Sequence, residues 1–178
     1  MKTILVTGGA GFVGSCLAMG LKARGEDTRV IALDNLRRRG SELNLPRLKA
    51  AGVEFLHGDI RCPGDLEEVG AFDVLVECSA EPSVLAGYGG SPKYVLETNL
   101  TGTLNCLEAA RQHGSDVIFL STSRVYPMET IARLHYRESE TRLELEGEQP
   151  VPGASAEGIS EDFPLAGVRS LYGATKLA

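Results

Sequence analysis

Apolar residues in this chain come in short dense runs rather than in strict alternation. The first, Lys2-Thr3-Ile4-Leu5-Val6-Thr7, is β-branched and of strand length, and it passes straight into glycines and a helical stretch from Gly11 to Arg24. Four more runs share its texture: Thr28 to Asp34 (TRVIALD), Val53 to His57 (VEFLH), Asp73 to Cys78 (DVLVEC) and Asp116 to Ser121 (DVIFLS). Helix-length stretches separate them: Leu36 to Ala51, the shorter Gly64 to Val69, and the long Pro92 to His113. Strands apolar on both sides, alternating with helices, predict a parallel sheet covered on both faces. Right-handed crossovers then give a doubly wound α/β sheet of five strands in the order 3-2-1-4-5, with strand five at an edge.

Arg133 to Ser170 breaks this rhythm. It is rich in charges and small residues and holds Pro150, Pro152 and Pro164, so it reads as a long excursion rather than core. A sixth strand is expected after the last helix of such a fold, yet the sequence stops at Leu177-Ala178. The expectation is a single nucleotide-binding domain, 1–178, that is an N-terminal fragment ending before its sixth strand and lacking a substrate domain.

The first turn carries candidate chemistry. Thr7-Gly8-Gly9-Ala10-Gly11-Phe12-Val13-Gly14 places GxxGxxG after a strand and at the opening of a helix, the context of a Rossmann dinucleotide site. Gly8 permits the tight turn, Gly11 lets a pyrophosphate approach the backbone, and Gly14 allows close packing of the helix on the sheet. The helix N-terminus offers unpaired N–H groups and partial positive charge to phosphates. Twenty positions beyond Gly14, Asp34 ends the second strand. Its carboxylate accepts hydrogen bonds from both adenine-ribose hydroxyls and repels a 2′-phosphate, which favours NAD over NADP. Arg37, Arg38 and Arg39 follow, either as a cluster able to embrace a phosphate or as a solvated helix start or surface contact. In Gly58-Asp59-Ile60, Asp59 is either a contact for the adenine amino group or an ordinary turn aspartate.

A second constellation lies near the end. Tyr172-Gly173-Ala174-Thr175-Lys176 sets a phenol and an ammonium at i and i+4, on one helix face. Tyrosine is a poor base at neutral pH, but a neighbouring Lys⁺ and a positively charged nicotinamide favour the phenolate. Upstream, Leu120-Ser121-Thr122-Ser123-Arg124-Val125-Tyr126 puts hydroxyls at the tip of the fifth strand, the end where open α/β sheets bind ligands. Thr122, Tyr172 and a nicotinamide are therefore expected to converge on one carbinol. Lys176, two residues from the chain end, is expected to be poorly fixed because helix ends fray.

Composition sets limits on this reading. With 178 residues, 43% hydrophobic and 24% charged, the chain has the bulk for a core, which excludes disorder. Its apolar runs fall well short of the ~20 residues a bilayer demands, and Met1-Lys2-Thr3 lacks a signal-peptide layout, so a soluble cytoplasmic protein is expected. A net charge of −6 supplies no basic field for nucleic acid, so any anionic ligand must be held locally. Cys16, Cys62, Cys78 and Cys106 form no CxxC pair, and with three histidines no metal site is indicated; buried thiols are expected. Met19, Met128 and His57 read as packing or strand-end residues, and Glu138 and Glu140 as loop charges rather than acid/base groups.

Taken together, Thr7 to Gly14, Asp34-Asn35-Leu36, Gly58-Asp59-Ile60-Arg61, Asn99-Leu100-Thr101-Gly102-Thr103, Ser121 to Tyr126 and Tyr172 to Lys176 resemble the extended short-chain dehydrogenase/reductases that act on nucleotide sugars. The resemblance implies Tyr172 as base and acid, Lys176 as its partner and a ligand of the nicotinamide ribose, and Thr122 as donor to the reacting oxygen, with Ser123 the alternative. It adds Phe12, Val13, Asn35, Ile60, Ser79, Ala80, Asn99 and Tyr172 to the NAD contacts, and also gives Asn99 the task of tying neighbouring strands to the active-site backbone. Ser123-Arg124 stands where dehydratases of this group carry Asp-Glu, which disfavours 4,6-dehydration. Asp34 to Leu45 and Tyr136 to Arg142 look like the branch that epimerises CDP-linked dideoxyhexoses at the 2-position. Cys78-Ser79-Ala80-Glu81 departs from the usual His-Leu-Ala-Gly/Ala. The implied activity is NAD-dependent epimerisation by a homo-oligomer when full length; the fragment alone is expected to bind NAD weakly and turn nothing over. A UDP-sugar 4-epimerase, a net dehydrogenase/reductase and a non-catalytic NAD-binding protein are the competing readings.

Overall fold

The computed structural model describes residues 1–25 and 27–178. It divides into two compact units, Met1–Leu120 and Ser121–Ala178.

In the first unit, β1 (Lys2–Thr7), β2 (Thr28–Asp34), β3 (Glu54–His57), β4 (Val74–Glu77) and β5 (Asp116–Phe119) form a parallel sheet in the order β3-β2-β1-β4-β5, as the sequence predicts. The intervening helices are α1 (Phe12–Arg24), α2 (Leu45–Ala50), α3 (Pro63–Glu67), α4 (Lys93–Leu96) and α5 (Gly102–His113). Successive strand residues point to opposite faces, so the apolar runs split into two cores. Leu5, Ile31, Leu33 and Leu75 join Ile60, Leu66, Phe72, Cys106 and Ala110 on one side; Ile4, Val6, Val30, Ala32, Val74 and Val76 join Ala18, Leu48 and Val53 on the other. Leu5 pairs in register with Ile31 and Leu75, which places the most buried residues in the middle of the sheet. Full burial of such a side chain is worth roughly 1.5–3 kcal/mol.

Several expectations need correction. Residues 36–51 are not one helix. The Asp34 carboxylate accepts the Leu36 N–H (2.8 Å), and the Asn35 side-chain oxygen accepts the Arg37 N–H (3.0 Å). These two Asx turns divert the chain; Leu36 has φ 53° and Gly40 has φ 96°, and helix resumes as a 3₁₀ turn, Ser41–Asn44, before α2 with Pro46 in its first turn. The long helix is interrupted by a π turn at Glu97–Thr101 between α4 and α5. Burial on both faces holds for β1, β2 and β4 but fails at the edge: Val117, Ile118 and Phe119 of β5 are exposed. Cys16 and Cys62 are exposed thiols, because Cys16 lies on the outer side of α1, away from buried Ser15 and Ala18, and Cys62 sits just ahead of α3; among the described residues no disulfide forms.

The second unit corrects the reading of the excursion. Leu134, Val151 and Phe163 form a core of their own, with Tyr126, Leu145, Ala154 and Ile159 packed around it and the Tyr126 and Phe163 rings edge to face at 5.2 Å. Around it lie a 3₁₀ turn (Ser123–Val125), α6 (Met128–Ala132), a β6–β7 hairpin (Tyr136–Glu138 with Leu143–Leu145), a β8–β9 pair (Ala154–Ser155 with Gly158–Ile159) and α7 (Leu171–Leu177). Among the described residues, no helix is long and apolar enough to cross a membrane and no group of His, Cys, Asp and Glu is placed to hold a metal ion.

Candidate active site

At the carboxyl end of the first unit's sheet, a cleft of about 800 Å³ gathers Gly8, Gly11, Phe12, Val13, Gly14, Asp34, Asn35, Asp59, Ile60, Ser79 and Ala80. Eleven residues assigned to the cofactor from the sequence thus share one cavity, and its volume suits a small-molecule ligand. Gly8 turns the chain at φ 62°, and a Cβ there would lie 2.9 Å from the Cys78 carbonyl and the Ser79 nitrogen, the far wall of the cleft. A Cβ on Gly14 would run into the Gly8 carbonyl oxygen. Gly14 therefore packs α1 against the glycine turn, rather than against the sheet as the sequence suggested. The N-terminus of α1 opens at Gly11 with no acidic residue in its first turn to neutralise it.

Asp34 shapes this turn as well as facing the cleft. One carboxylate oxygen accepts the Ala10 N–H (3.1 Å), while the Asn44 side-chain amide donates to the Ala10 carbonyl (2.8 Å). Each carboxylate oxygen has a second lone pair, so bonds to Ala10 and Leu36 leave capacity for two ribose hydroxyls. Arg37, Arg38 and Arg39 are exposed, line the cleft and lie in the bend that precedes the Ser41–Asn44 turn rather than in a helix. The Arg37 guanidinium lies 4.0 Å from the centroid of the Tyr94 ring, and Arg61 lies 5.1 Å from it.

Asp59 is held by its neighbours. Its carboxylate accepts from Arg61 Nη2 (2.6 Å), the Arg61 N–H (3.0 Å) and Asn35 Nδ2 (2.9 Å). The Arg61 side-chain bond keeps this carboxyl well below the usual carboxylate range despite partial burial, and reciprocally raises the arginine. A carboxyl depressed in the folded state contributes stability that is complete above its unfolded value, ~3.9, and that fades as pH falls through that value toward the folded one. Asp59→Asn is expected to cost about 2 kcal/mol near neutrality, with the deficit narrowing steadily between about pH 5 and pH 2. Urea midpoints of both proteins across that range check this; a deficit of constant size contradicts it.

Asn99 ties one loop rather than neighbouring strands, and it does not line the cleft as a cofactor contact. It is buried at the π turn, its side-chain oxygen accepts the Glu81 N–H (2.8 Å) and its amide donates to the Glu81 carbonyl (3.1 Å), so it fixes the loop carrying Ser79 and Ala80. Beside it is a residue the sequence reading missed. The Thr98 hydroxyl is buried, lines the cleft and has no hydrogen-bond partner in the protein. An orphaned buried hydroxyl costs free energy unless a ligand or water satisfies it. Together with the glycine cradle, the unneutralised helix end and Asp34, it fits a dinucleotide. Asn44, Tyr94 and Thr98 were all missed; the only signal was the i, i+4 spacing of Tyr94 and Thr98 on the helix that enters Asn99.

The second unit holds the remaining residues. Ser170 caps α7 by accepting the Gly173 N–H (3.0 Å). Tyr172, Thr175 and Lys176 are buried within this helix, and Lys176 is only 6% exposed. Lys176 is thus enclosed rather than splayed into solvent at the helix end. The Thr122 hydroxyl oxygen accepts the Arg124 N–H (3.2 Å), which leaves its own O–H available as a donor. Ser123, Glu138 and Glu140 are exposed.

Comparison with known proteins defines the class. Residues 4–178 match the family described as NAD dependent epimerase/dehydratase, and the chain belongs to that family. It is 37% identical over 149 residues to CDP-paratose 2-epimerase of Salmonella typhi, covering 78% of this chain and 41% of that protein. It is 38% identical over 131 residues to dTDP-glucose 4,6-dehydratase of Streptomyces niveus, covering 69% and 38% respectively. The fold is similar to UDP-glucose 4-epimerase of Bifidobacterium longum solved with NAD⁺ and UDP, with TM-score 0.71, 26% identity, and 99% of this chain matched to 46% of that one. The chain spans under half the length of these relatives.

Proposed function

We propose that this chain is the NAD-holding and proton-transferring part of a nucleotide-sugar epimerase. The observation that carries the reading is the single cleft in which the glycine turn, Asp34 and the orphaned Thr98 hydroxyl meet, in a chain of the NAD dependent epimerase/dehydratase family. NAD, when bound, supplies an acceptor for hydride from the sugar carbon and returns it in the second half of the reaction. The α1 N-terminus and the Gly11 backbone hold the pyrophosphate, and Asp34 accepts from the adenine-ribose hydroxyls. Phe12, Val13, Asn35, Asp59, Ile60, Ser79 and Ala80 complete the cofactor walls, and Asn99 fixes the last of them through Glu81.

Tyr172 takes the proton of the sugar hydroxyl as its carbon is oxidised to a ketone, then gives it back when the carbon is reduced from the opposite face. Lys176, one helical turn away, favours the phenolate through its charge and contacts the nicotinamide ribose. Thr122 donates its O–H to the reacting oxygen. Selection of nucleotide and sugar is assigned to residues outside this module. A CDP-linked dideoxyhexose with inversion at the 2-position is the reaction we favour, supported by the likeness to the Salmonella typhi enzyme and by Ser123-Arg124 in place of an acidic pair.

Incubation of the full-length protein with CDP-paratose and NAD, followed by proton NMR, tests this. The expected result is a second sugar epimer with no net NADH. Stoichiometric NADH supports a dehydrogenase instead, and NAD binding with no change in any nucleotide sugar supports a non-catalytic role.

A further inference from the structure

Between Tyr172 and Lys176 lies a buried glycine, Gly173, inside α7. A Cβ built there would run into the Arg124 carbonyl oxygen and lie 2.9 Å from its carbon. That obstacle is backbone, part of the 3₁₀ turn Ser123–Val125, and cannot swing aside as a side chain does. The same peptide segment is gripped from the other side, where the Thr122 hydroxyl oxygen accepts the Arg124 N–H. Arg124 is thus the shared contact between the residue proposed to hold the reacting oxygen and the helix proposed to carry the base.

We infer that Gly173 is a positioning residue: its missing side chain lets α7 close on the Arg124 backbone, which sets the register of Tyr172 against Thr122. This rests on the proposed roles of those two residues. Helix propensity gives no reason for a glycine here, since alanine is the better helix former even in this first turn of α7. A glycine set beside a backbone carbonyl is explained by docking, not by the helix itself. A misplacement of about 1 Å between catalytic groups lowers turnover by roughly 10²-fold.

The test uses the full-length protein with CDP-paratose as probe and compares Gly173→Ala with Gly20→Ala, a glycine inside α1 whose Cβ would meet open space. Gly173→Ala is expected to lower kcat by about 10²-fold, with KM and NAD affinity within about threefold of wild type. Gly20→Ala is expected to leave all three unchanged. If Gly173→Ala does not fold, Ser170→Ala reads the same register by removing the bond to the Gly173 N–H; a fall in kcat of about fivefold at unchanged KM supports the inference. Unchanged kcat in Gly173→Ala, or in Ser170→Ala where that variant must stand in, overturns it, as does a loss confined to KM or NAD affinity. Tyr172→Phe separates the two claims. If it retains turnover, the assignment of the base fails; if it is inactive while Gly173→Ala is fully active, only the positioning role fails.

Discussion

In the full-length protein, Tyr172→Phe is expected to lower turnover of the nucleotide sugar by about 10²–10⁴-fold, or roughly 3–5 kcal/mol of transition-state stabilisation, while NAD affinity stays within a few-fold of wild type. The substitution removes one oxygen and nothing else. Tyr172 is 9% exposed and its ring is part of the α7 packing, so the phenylalanine keeps that packing and the helix. Steady-state kinetics and NAD titration on the same preparations check both halves. Turnover within tenfold of wild type removes Tyr172 from the role of base; loss of NAD binding in parallel reassigns the phenol to holding the cofactor.

The second large effect is expected at the glycine turn. Gly14→Ala puts a methyl group onto the Gly8 carbonyl oxygen, with Gly9 Cα 3.0 Å away, and no rotamer change relieves a backbone contact. Overpacking of this kind costs about 1–3 kcal/mol, against a gain of at most ~1 kcal/mol from helix propensity. The larger consequence falls on the ligand: if Gly8 shifts, the α1 N–H groups and the wall at Ser79 no longer face the same pyrophosphate. NAD affinity is expected to drop at least 10²-fold, which calorimetry reads directly. Gly20→Ala, on the same helix with nothing within 4 Å of the new methyl, is expected to leave NAD binding intact. Equal NAD affinity in Gly14→Ala and wild type places the pyrophosphate elsewhere.

Much of this molecule was legible in its sequence because the governing effects are local or strongly periodic. Strands buried on both faces must be apolar throughout, so β1, β2 and β4 announced themselves. A glycine turn between strand and helix, followed by Asp34, located the cleft. What escaped notice was set by tertiary contacts. The Asx turns of Asp34 and Asn35 compete with helix in a way that hydrophobic spacing does not register, hence the misread stretch from Leu36. Leu134, Val151 and Phe163 are too far apart in sequence to show a period, so their small core read as an excursion. The exposure of β5 depends on what lies beside it, and the burial of Lys176 on packing against α7. The need of Thr98 for a partner is invisible until its neighbours are placed. Asn99 was found through a family resemblance, and its paired hydrogen bonds to Glu81 supply the physical reason.

The most direct test of the account is to run the epimerisation with the full-length protein on CDP-paratose deuterated at the reacting carbon, in ordinary water, and to follow the label by mass spectrometry. Hydride that leaves for NAD and returns never exchanges with solvent, so the epimer is predicted to retain its deuterium. Replacement of that deuterium by solvent hydrogen would mean that the carbon loses a proton rather than a hydride, and would contradict oxidation through the cofactor cleft.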